Sequence, residues 1–222
     1  MYRTTPEIQN RKDAKKLLLL STAAEVFSAK GYHNTTVKDV VDKAAVSVGT
    51  FYFYFKSKED LFIALYQSII KEFSEITMSV IDVENFTMIK NYTRVMTATL
   101  WMYDRKREIA RIMLLEAATA EPSFQSLEIN RIKDFAQTMA GWFEKFKLHN
   151  KVSIPDSQVA ALIYAGSYYY MVNEWLSSDT ASPLTEYAYS FCVYHLQALK
   201  IVFDENTVKE YIGEVLRELN EV

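Results

Sequence analysis

A run of five consecutive aromatic residues, Phe51 to Phe55, leads into a lysine-containing segment in the stretch TFYFYFKSK. The alternation of Phe and Tyr resembles a half-buried β-strand, but an α-helix divides the same residues into separate faces. Phe51 and Phe55 are four positions apart and share one face, which we expect to enter a core with Val48 at its edge. The opposite face holds three residues: Gly49, Thr50 and Phe53.

The exposed face of this helix has the chemistry of a surface that contacts DNA bases. Ser47, which is placed to cap the helix, and Thr50 can donate or accept hydrogen bonds at base edges in a major groove. Gly49 allows a close approach, and Phe53 or the Thr50 methyl group can contact a thymine methyl group. Phe53 lies opposite the face that enters the core, so we expect it to be exposed in the free protein, and contact with DNA explains an exposed aromatic ring there.

The borders of the same face are suited to phosphate groups. Tyr52 and Tyr54 flank the face and can donate hydrogen bonds to phosphate oxygens, and Lys56 and Lys58 can add charge-assisted contacts. Such contacts position a protein on DNA and make binding salt-dependent without reading sequence. The alternative is that Tyr52 or Tyr54 only packs between helices.

The segment before this helix predicts a short partner helix. Thr36 and Asp39 have the spacing of a capping box. A helix of little more than two turns is unstable alone and must pack on neighbours. The gap of about three residues between the two short helices predicts a helix-turn-helix. One apolar stripe follows the cap at helical spacing: Val37, Val40, Val41 and Ala44.

The remaining elements are also predicted to be helices. Apolar spacing indicates a first helix over 12–30 that ends at Gly31, preceded by a mobile polar arm of about ten residues. Ser57 can cap the helix that follows the aromatic run, and prolines mark several later boundaries. The further helices are expected at about 57–80, 85–103, 105–119, 122–149, 156–177, 184–202 and 206–220.

Composition supports this all-α prediction, since the 222 residues include only 5 Gly and 4 Pro. We expect a three-helix helix-turn-helix domain at residues 1–56 and a larger helical domain at residues 57–222. Cys192 is the only cysteine, which excludes an intrachain disulfide. The start of the sequence has no apolar signal core, so we expect a cytoplasmic protein with no membrane partner.

Charge is distributed unevenly along the chain. The net charge is −3, but residues 1–58 carry ten Lys/Arg and five Asp/Glu, whereas the remaining residues carry 15 and 23. A basic N-terminal part on an acidic body favours double-stranded DNA as a partner. The alternative is a chance partition of charge.

The stretch AAEVFSAKGYHNTTVKDVVDKAAVSVGTFYFYFKSKEDLF, residues 23–62, resembles the DNA-binding domain of the TetR (tetracycline repressor) family. The matching motifs are VF…GY…TTV, VSVGTFY and YFKSKEDLF, in the family's order and spacing. One departure is Ala45, where the family often has glycine in the turn.

The resemblance implies a homodimeric, all-helical, ligand-responsive transcription regulator, usually a repressor. It also implies which positions contact operator DNA. Phe53 and Lys56 are added to them from helical geometry. The matching positions are Thr36, Lys38, Ser47, Val48, Gly49, Thr50, Tyr52, Tyr54 and Lys58.

The resemblance further implies an effector pocket among the central helices and dimerisation through the last long ones. The helix at 156–177 is apolar almost all round, which is typical of a helix buried on every side. Its two stripes are Tyr164, Tyr168, Met171 and Trp175, and Val159, Ile163, Gly166 and Tyr170. Gly166 permits a close approach of another backbone, so we assign its stripe to the dimer seam and the other stripe to the interior. The opposite assignment stays open.

The helix at 184–202 is the natural second member of a four-helix seam between two subunits. We interpret His195 on it as a hydrogen-bonded interface residue rather than a ligand. The apolar side that we expect in the seam consists of Leu184, Ala188, Phe191, His195, Leu199 and Val202.

Aromatic and methionine side chains with few polar groups predict a bulky apolar or amphipathic effector. Glu116, in the apolar stretch IMLLEAA, can pair with a cationic group or a hydroxyl of the effector, or with Arg94 or Arg111. The alternative for the aromatic residues is ordinary core. The pocket candidates are Met96, Leu100, Trp101, Met113, Glu116, Phe135, Met139 and Trp142, with Tyr164, Tyr168, Met171 and Trp175.

Catalysis is not predicted, because the sequence has no Gly-rich phosphate loop, metal-ligand cluster or nucleophile motif. We therefore expect no catalytic residues, no metal and no cofactor. A second function class stays open: a DNA-binding protein that organises chromosomes or responds to a protein partner without a metabolite. A roomy cavity in the larger domain would disfavour that class, and a well-packed interior would favour it.

Overall fold

The computed structural model describes residues 6–117, 122–148, 151–178 and 182–221, and every regular element in these ranges is a helix. The predicted all-α fold is therefore confirmed. Within the same ranges, the helices are too short or too polar to cross a membrane.

The first helix, α1 (Pro6–Asn34), begins earlier than its apolar pattern indicates. Proline is favourable at a first helical position, because the N–H that it lacks would have no partner there. The expected mobile arm is therefore wrong for residues 6–10, which are helical. The expected break does occur at Gly31, with φ 76° and ψ 164°, a conformation open almost only to glycine.

Helices α2 (Val37–Lys43) and α3 (Val48–Tyr54) follow as the predicted helix-turn-helix. The capping box forms: the Asp39 amide donates to Thr36 Oγ1 at 3.2 Å, and the Thr36 amide donates to Asp39 Oδ2 at 2.8 Å. Ser47 caps α3 by accepting from the Thr50 amide at 3.1 Å.

The turn between α2 and α3 is a Schellman motif, in which two amides satisfy the last carbonyl groups of a helix. Val46 N donates to the Val41 carbonyl oxygen at 3.1 Å, and Ala45 N donates to that of Asp42 at 3.3 Å. The motif needs a left-handed residue, and Ala45 takes that role with φ 52°. A side chain at this position carries backbone strain that glycine would not have.

We expect two substitutions at these positive-φ positions to change stability in opposite directions. Gly31→Ala should lower the free energy of unfolding by about 1–3 kcal/mol, because alanine does not tolerate the Gly31 conformation. Ala45→Gly should raise it slightly, because relief of strain exceeds the entropy that glycine adds to the unfolded chain. Thermal denaturation followed by circular dichroism measures both, and a Gly31→Ala variant as stable as the wild type would contradict the expectation.

Seven further α-helices complete the described fold. A π-helix (Ile112–Ala117) follows the third of them, α6, and a 3₁₀ helix (Leu184–Tyr187) precedes α9. The α-helices are α4 (Lys58–Ser79), α5 (Met88–Arg105), α6 (Arg107–Arg111), α7 (Pro122–Leu148), α8 (Ser157–Ser177), α9 (Ala188–Ala198) and α10 (Glu205–Asn220).

The segment predicted as one helix over 184–202 differs from that expectation. Its first turn is 3₁₀, and α9 ends at Ala198. A second Schellman motif closes α9, with Ile201 N donating to the Leu196 carbonyl oxygen at 3.0 Å and Lys200 at φ 55°. Val202 lies beyond this stop, so it is not part of the helix.

Two main buried clusters organise the molecule. One joins α1, α2 and α3 to the start of α4 and continues into α6 and α7, through Phe27, Tyr32, Phe62, Ile109 and Phe124. The other fills the body between α5, α7, α8 and α9. The first cluster crosses the expected domain division at residues 56 and 57, so the N-terminal helices are packed directly onto the larger domain.

Candidate nucleic-acid interface and ligand cavity

The aromatic run separates into the two faces expected of a helix. Phe51 and Phe55 are buried in the N-terminal cluster, whereas Phe53 is 65% exposed and Tyr52 is also exposed. The expectation that Phe53 is exposed is therefore confirmed. We expected Val48 at the edge of the core, but its side chain is exposed. It therefore adds to the outer face of α3 that Tyr52 and Phe53 form.

The polar groups on this face are held in place by local hydrogen bonds. Ser47 Oγ and Thr50 Oγ1 lie 2.9 Å apart, so the two hydroxyl groups fix each other on the first turn of α3. Gly49 between them is exposed, and an added Cβ would come no closer than 3.7 Å to another side chain. Tyr54 is half-buried, with its ring 4.9 Å from that of Phe53.

The three lysines expected to contact phosphates differ in whether their ammonium groups already have a partner within the protein. Lys38 and Lys56 are exposed. Lys58 instead donates from Nζ to the Tyr32 carbonyl oxygen at 2.8 Å and lies 4.3 Å from the centre of the Tyr32 ring. Its ammonium group therefore satisfies the C-terminal end of α1, and Lys56 is the better candidate for a phosphate contact.

The exposed start of α1 adds positive charge that the sequence analysis did not assign to the DNA-binding surface. Lys12 Nζ lies 5.5 Å from the centre of the Phe53 ring, which places this part of α1 beside the outer face of α3. Asp39 offers little negative charge for repulsion, because it pairs with Lys30 at 2.5 Å. The hydrogen bonds from Lys30 and Thr36 also lower the pKa of Asp39. The basic side chains along this stretch are Arg11, Lys12, Lys15 and Lys16.

A cavity of about 460 Å³ lies in the larger domain, bounded by α4, α5, α7, α8 and the π-helix. Its volume falls within the range of sites that enclose small molecules. The structure places seven of the twelve pocket candidates in its wall: Met96, Met113, Phe135, Met139, Trp142, Tyr164 and Tyr168.

Four other pocket candidates do not line this cavity. Leu100 is fully buried in the body, and Met171 packs against the same cluster. Trp101 turns toward α10, where its Nε1 donates to Asn220 Oδ1 at 3.0 Å. Trp175 donates to the Ser182 carbonyl oxygen at 2.7 Å, at the far end of α8. The side chain of the remaining candidate, Glu116, lies outside the described residues, and Arg94 pairs with Glu218 instead.

A polar cluster that the sequence analysis missed lies at the cavity wall. Tyr66 on α4 donates its hydroxyl to Glu128 on α7 at 2.7 Å, and Arg131 Nε donates to the same carboxylate oxygen at 2.9 Å. A second bond joins Arg131 Nη2 to Glu128 Oε1. Tyr66 and Arg131 line the cavity, whereas Glu128 is 4% exposed behind them. The i, i+3 spacing of Glu128 and Arg131 was visible in the sequence, but their contact with Tyr66 was not.

Burial controls the protonation of this cluster. It raises the pKa of Tyr66, and the negative charge of Glu128 adds to that effect, so the hydroxyl stays protonated and donates. Burial acts to lower the pKa of Arg131, but the hydrogen bond to Glu128 and the neighbouring tyrosines outweigh it and raise that pKa. The guanidinium therefore stays charged. Burial also raises the pKa of Tyr164 and Tyr168 in the same wall.

The α8 stripe assigned to the dimer seam lies on the surface of the protomer. Ile163 is 60% exposed, and Val159, Gly166 and Tyr170 are also exposed, together with Leu162. The Tyr164 stripe faces inward, as we assigned it.

The side of the 184–202 segment that we assigned to the dimer seam is buried inside the protomer, so that assignment is wrong. The exposed side carries Tyr187, at the end of the 3₁₀ helix, and Tyr194 on α9. His195 is buried, with its ring nitrogens 2.9 Å from Ser167 Oγ and from the Phe191 carbonyl oxygen. Burial lowers the pKa of His195, so the ring is neutral at pH 7. The buried residues are Leu184, Ala188, Phe191, His195 and Leu199, whereas Val202 is 95% exposed beyond the helix.

Within the described residues, no three His, Cys, Asp or Glu side chains come close enough together to hold a metal ion. The buried Cys192 is a poor nucleophile, because burial raises the pKa of its thiol to about 12.

Comparison with known proteins gives independent information on this arrangement. Residues 19–65 match the family described as bacterial regulatory proteins, tetR family. The fatty acid metabolism regulator protein of Bacillus subtilis (strain 168) is 37% identical over 65 residues, which are 29% of this chain and 34% of that protein. The chain thus spans about a third of the length of this relative.

Two further similarities extend beyond the N-terminal helices. The HTH-type transcriptional regulator RutR of Escherichia coli (strain K12) is 26% identical over 179 residues, which are 76% of this chain and 79% of that protein. The crystal structure of FadR from Bacillus subtilis in complex with stearoyl-CoA has a TM-score of 0.68 at 19% identity, over 81% of this chain and 96% of that one. The structural similarity shows a shared fold.

Proposed function

We propose that this chain, which belongs to the TetR family of DNA-binding transcription regulators, is a repressor that binds operator DNA as a homodimer. It releases the operator when a small, mostly apolar or aromatic molecule fills the cavity. Its proposed division is a DNA-binding domain at residues 1–56 and an effector-binding and dimerisation domain at residues 57–222. Its proposed place of action is the cytoplasm, where operator DNA is accessible.

One observation carries this proposal: a single helix belongs to both sites. α4 begins against the helix-turn-helix, where Leu61 and Phe62 are buried in the N-terminal cluster. Further along the same helix, Tyr66, Ile69 and Phe73 line the cavity. A molecule that displaces α4 in the cavity must therefore also move α1 and α3, which are packed on the start of the same helix.

The π-helix and α7 provide a second connection between cavity and DNA-binding domain. Met113 lines the cavity and also belongs to the N-terminal cluster. Phe124 at the start of α7 packs against Phe62 and Tyr32, with ring centres 4.7 and 5.4 Å apart. These buried contacts support a rigid connection rather than a flexible linker.

The arrangement of two recognition helices explains how such a displacement controls DNA binding. In a two-fold dimer, each α3 enters a major groove, and the two grooves lie about one helical turn, roughly 34 Å, apart. A molecule that fits the cavity only when the two DNA-binding domains of the dimer are at another separation shifts the population away from the DNA-binding state. The proposed base contacts come from Ser47, Val48, Gly49, Thr50 and Phe53, and the proposed phosphate contacts from Thr36, Lys38, Tyr52, Tyr54 and Lys56.

The cavity favours a ligand-responsive regulator rather than a chromosome-organising protein, because it is an unfilled volume among the apolar side chains of the larger domain. The similar FadR structure holds stearoyl-CoA, so this fold can enclose a molecule with a long apolar part.

Selection of DNA from a random duplex pool tests the DNA part of the proposal. We expect the purified protein to enrich a two-fold symmetric site whose half-sites lie about one helical turn apart. Affinity should fall steeply as salt increases, because phosphate contacts release counterions. Equal binding of selected and scrambled duplexes at low salt would refute sequence-specific regulation by this chain.

A further inference from the structure

Arg131 is the only side chain with a formal charge among the described residues that line the cavity. Its Nε and Nη2 atoms are used by Glu128, whereas no hydrogen bond from the described residues occupies Nη1. The guanidinium, on a side chain that is 24% exposed, therefore offers unused N–H donors beside a largely apolar wall. A donor in such a wall favours an occupant that can accept a hydrogen bond from it.

The charge of Arg131 is already balanced before any molecule enters. Glu128 pairs with it through two hydrogen bonds, and Tyr66 donates a third to the same carboxylate. A carboxylate or phosphate in the cavity would leave one net negative charge in an apolar surrounding. A cation would meet the guanidinium directly. Both arrangements are unfavourable, because an unpaired buried charge is far more costly than a polar group with a hydrogen bond.

We infer that the effector is an uncharged, largely apolar molecule whose carbonyl-type oxygen accepts a hydrogen bond from Arg131. Arg131 determines this specificity, and Glu128 and Tyr66 position it. The inference rests on the proposed function only in taking the cavity as the effector site. The apolar body of the molecule lies along the methionine and aromatic wall, which includes Met96, Met139 and Phe135. A flexible chain can follow such a wall because methionine side chains adapt their shape.

Three probes with the same alkyl chain and different head groups test this inference on the protein without DNA. They are methyl dodecanoate, used below its solubility limit, and dodecanoate and dodecyltrimethylammonium, used below their micelle-forming concentrations. Isothermal titration calorimetry at pH 7 measures the three dissociation constants. We expect the ester to bind at least about tenfold more tightly than either ion, because each ion would bring an uncompensated charge into the cavity.

The matched variant is Glu128→Gln/Arg131→Met, which removes both charges together and leaves an amide oxygen to accept from Tyr66. The single change at Arg131 is avoided, because it would leave Glu128 buried without its partner. We expect the double variant to bind the ester about tenfold more weakly than the wild type, because the hydrogen bond to the head group is lost. Tyr66→Phe, which leaves both hydrogen bonds between Arg131 and Glu128 in place, should weaken ester binding much less.

The other outcomes overturn the inference. Tighter binding of dodecanoate would show that the cavity takes an anion, and tighter binding of the ammonium compound would show that it takes a cation. An unchanged affinity of the double variant for the ester would show that Arg131 does not recognise the head group. Binding of none of the three probes would refute the assigned ligand class. None of these results depends on whether the protein binds an operator.

Discussion

Gly49→Asp should produce a protein that is at least as stable as the wild type and unable to bind its operator. Gly49 lies in the first turn of α3, one residue before the Thr50 amide that Ser47 caps. An acidic side chain there interacts favourably with the helix dipole, and aspartate has a somewhat higher helix propensity than glycine. We expect these effects to raise the free energy of unfolding by about 0.5–1 kcal/mol.

The same carboxylate is placed where the proposed interface approaches DNA most closely. The Gly49 position is open, with the nearest side-chain atom 3.7 Å from an added Cβ, so the protein itself does not exclude the new side chain. On DNA, each subunit would bring a negative charge against the bases and phosphates. Juxtaposed like charges cost several kcal/mol, so operator affinity should fall by about a hundredfold or more.

Two measurements separate stability from binding in this variant. Thermal denaturation gives the first effect, and fluorescence anisotropy with a labelled operator duplex gives the second. Gly49→Ala is the matched control, because it gains helix propensity without a charge and should retain much more of the affinity. Operator binding by Gly49→Asp at wild-type strength would place the DNA interface elsewhere on the molecule.

The features that sequence analysis predicted well depend on neighbours within a few residues. The caps at Thr36 and Ser47 need only a side chain and an amide three positions away. Phe51 and Phe55 are buried and Phe53 is exposed because successive residues of a helix are rotated by about 100° around its axis. Such features are readable in a single sequence, because the local chain fixes their geometry.

The features that were missed depend on residues far apart in the chain. Tyr66 and Glu128 are hydrogen-bonded across 62 positions, and no periodic pattern brings them together. Trp101 was expected in the pocket but turns toward Asn220, a contact across 119 positions. Sequence pattern identifies that a helix is apolar, whereas the packing of several helices decides which side reaches a cavity.

The α9 helix illustrates the same limit on one element. Both of its sides are largely apolar or aromatic, so helical periodicity alone did not distinguish the side that faces the body from the side that faces a partner. The contact of His195 with Ser167 and the exposure of Tyr187 and Tyr194 make the distinction. On this basis, the proposed dimer seam combines the exposed face of α8 with the Tyr194 side of α9.

Ile163→Asp should convert the protein into a monomer that folds normally. Ile163 is 60% exposed in the protomer, so a charge there remains solvated in one isolated subunit. Together with Val159 and Tyr194, it lines a groove between α8 and α9 that has a volume of about 330 Å³. In a two-fold interface the same residue is buried in both subunits, so each dimer would contain two desolvated carboxylates at a cost of several kcal/mol each.

Ile129→Asp is the control for this variant, because Ile129 is 45% exposed on α7 and is not among the described residues that line the groove between α8 and α9. It introduces the same charge on the same residue type, so it should stay dimeric. Light scattering coupled to size-exclusion chromatography at micromolar concentration measures the mass of both variants. An Ile163→Asp protein that elutes as a dimer would show that the α8 face is not the seam.

Loss of the dimer should also weaken operator binding, even though the DNA-binding domain is untouched. Two linked domains bind two half-sites with a high effective concentration for the second contact, and a monomer lacks that advantage. We therefore expect operator affinity to fall by about a hundredfold or more, while a duplex with one half-site binds the variant and the wild type about equally. Equal loss on the full site and on the single half-site would instead indicate damage to α3, which the circular dichroism spectrum and the melting temperature of the variant would reveal.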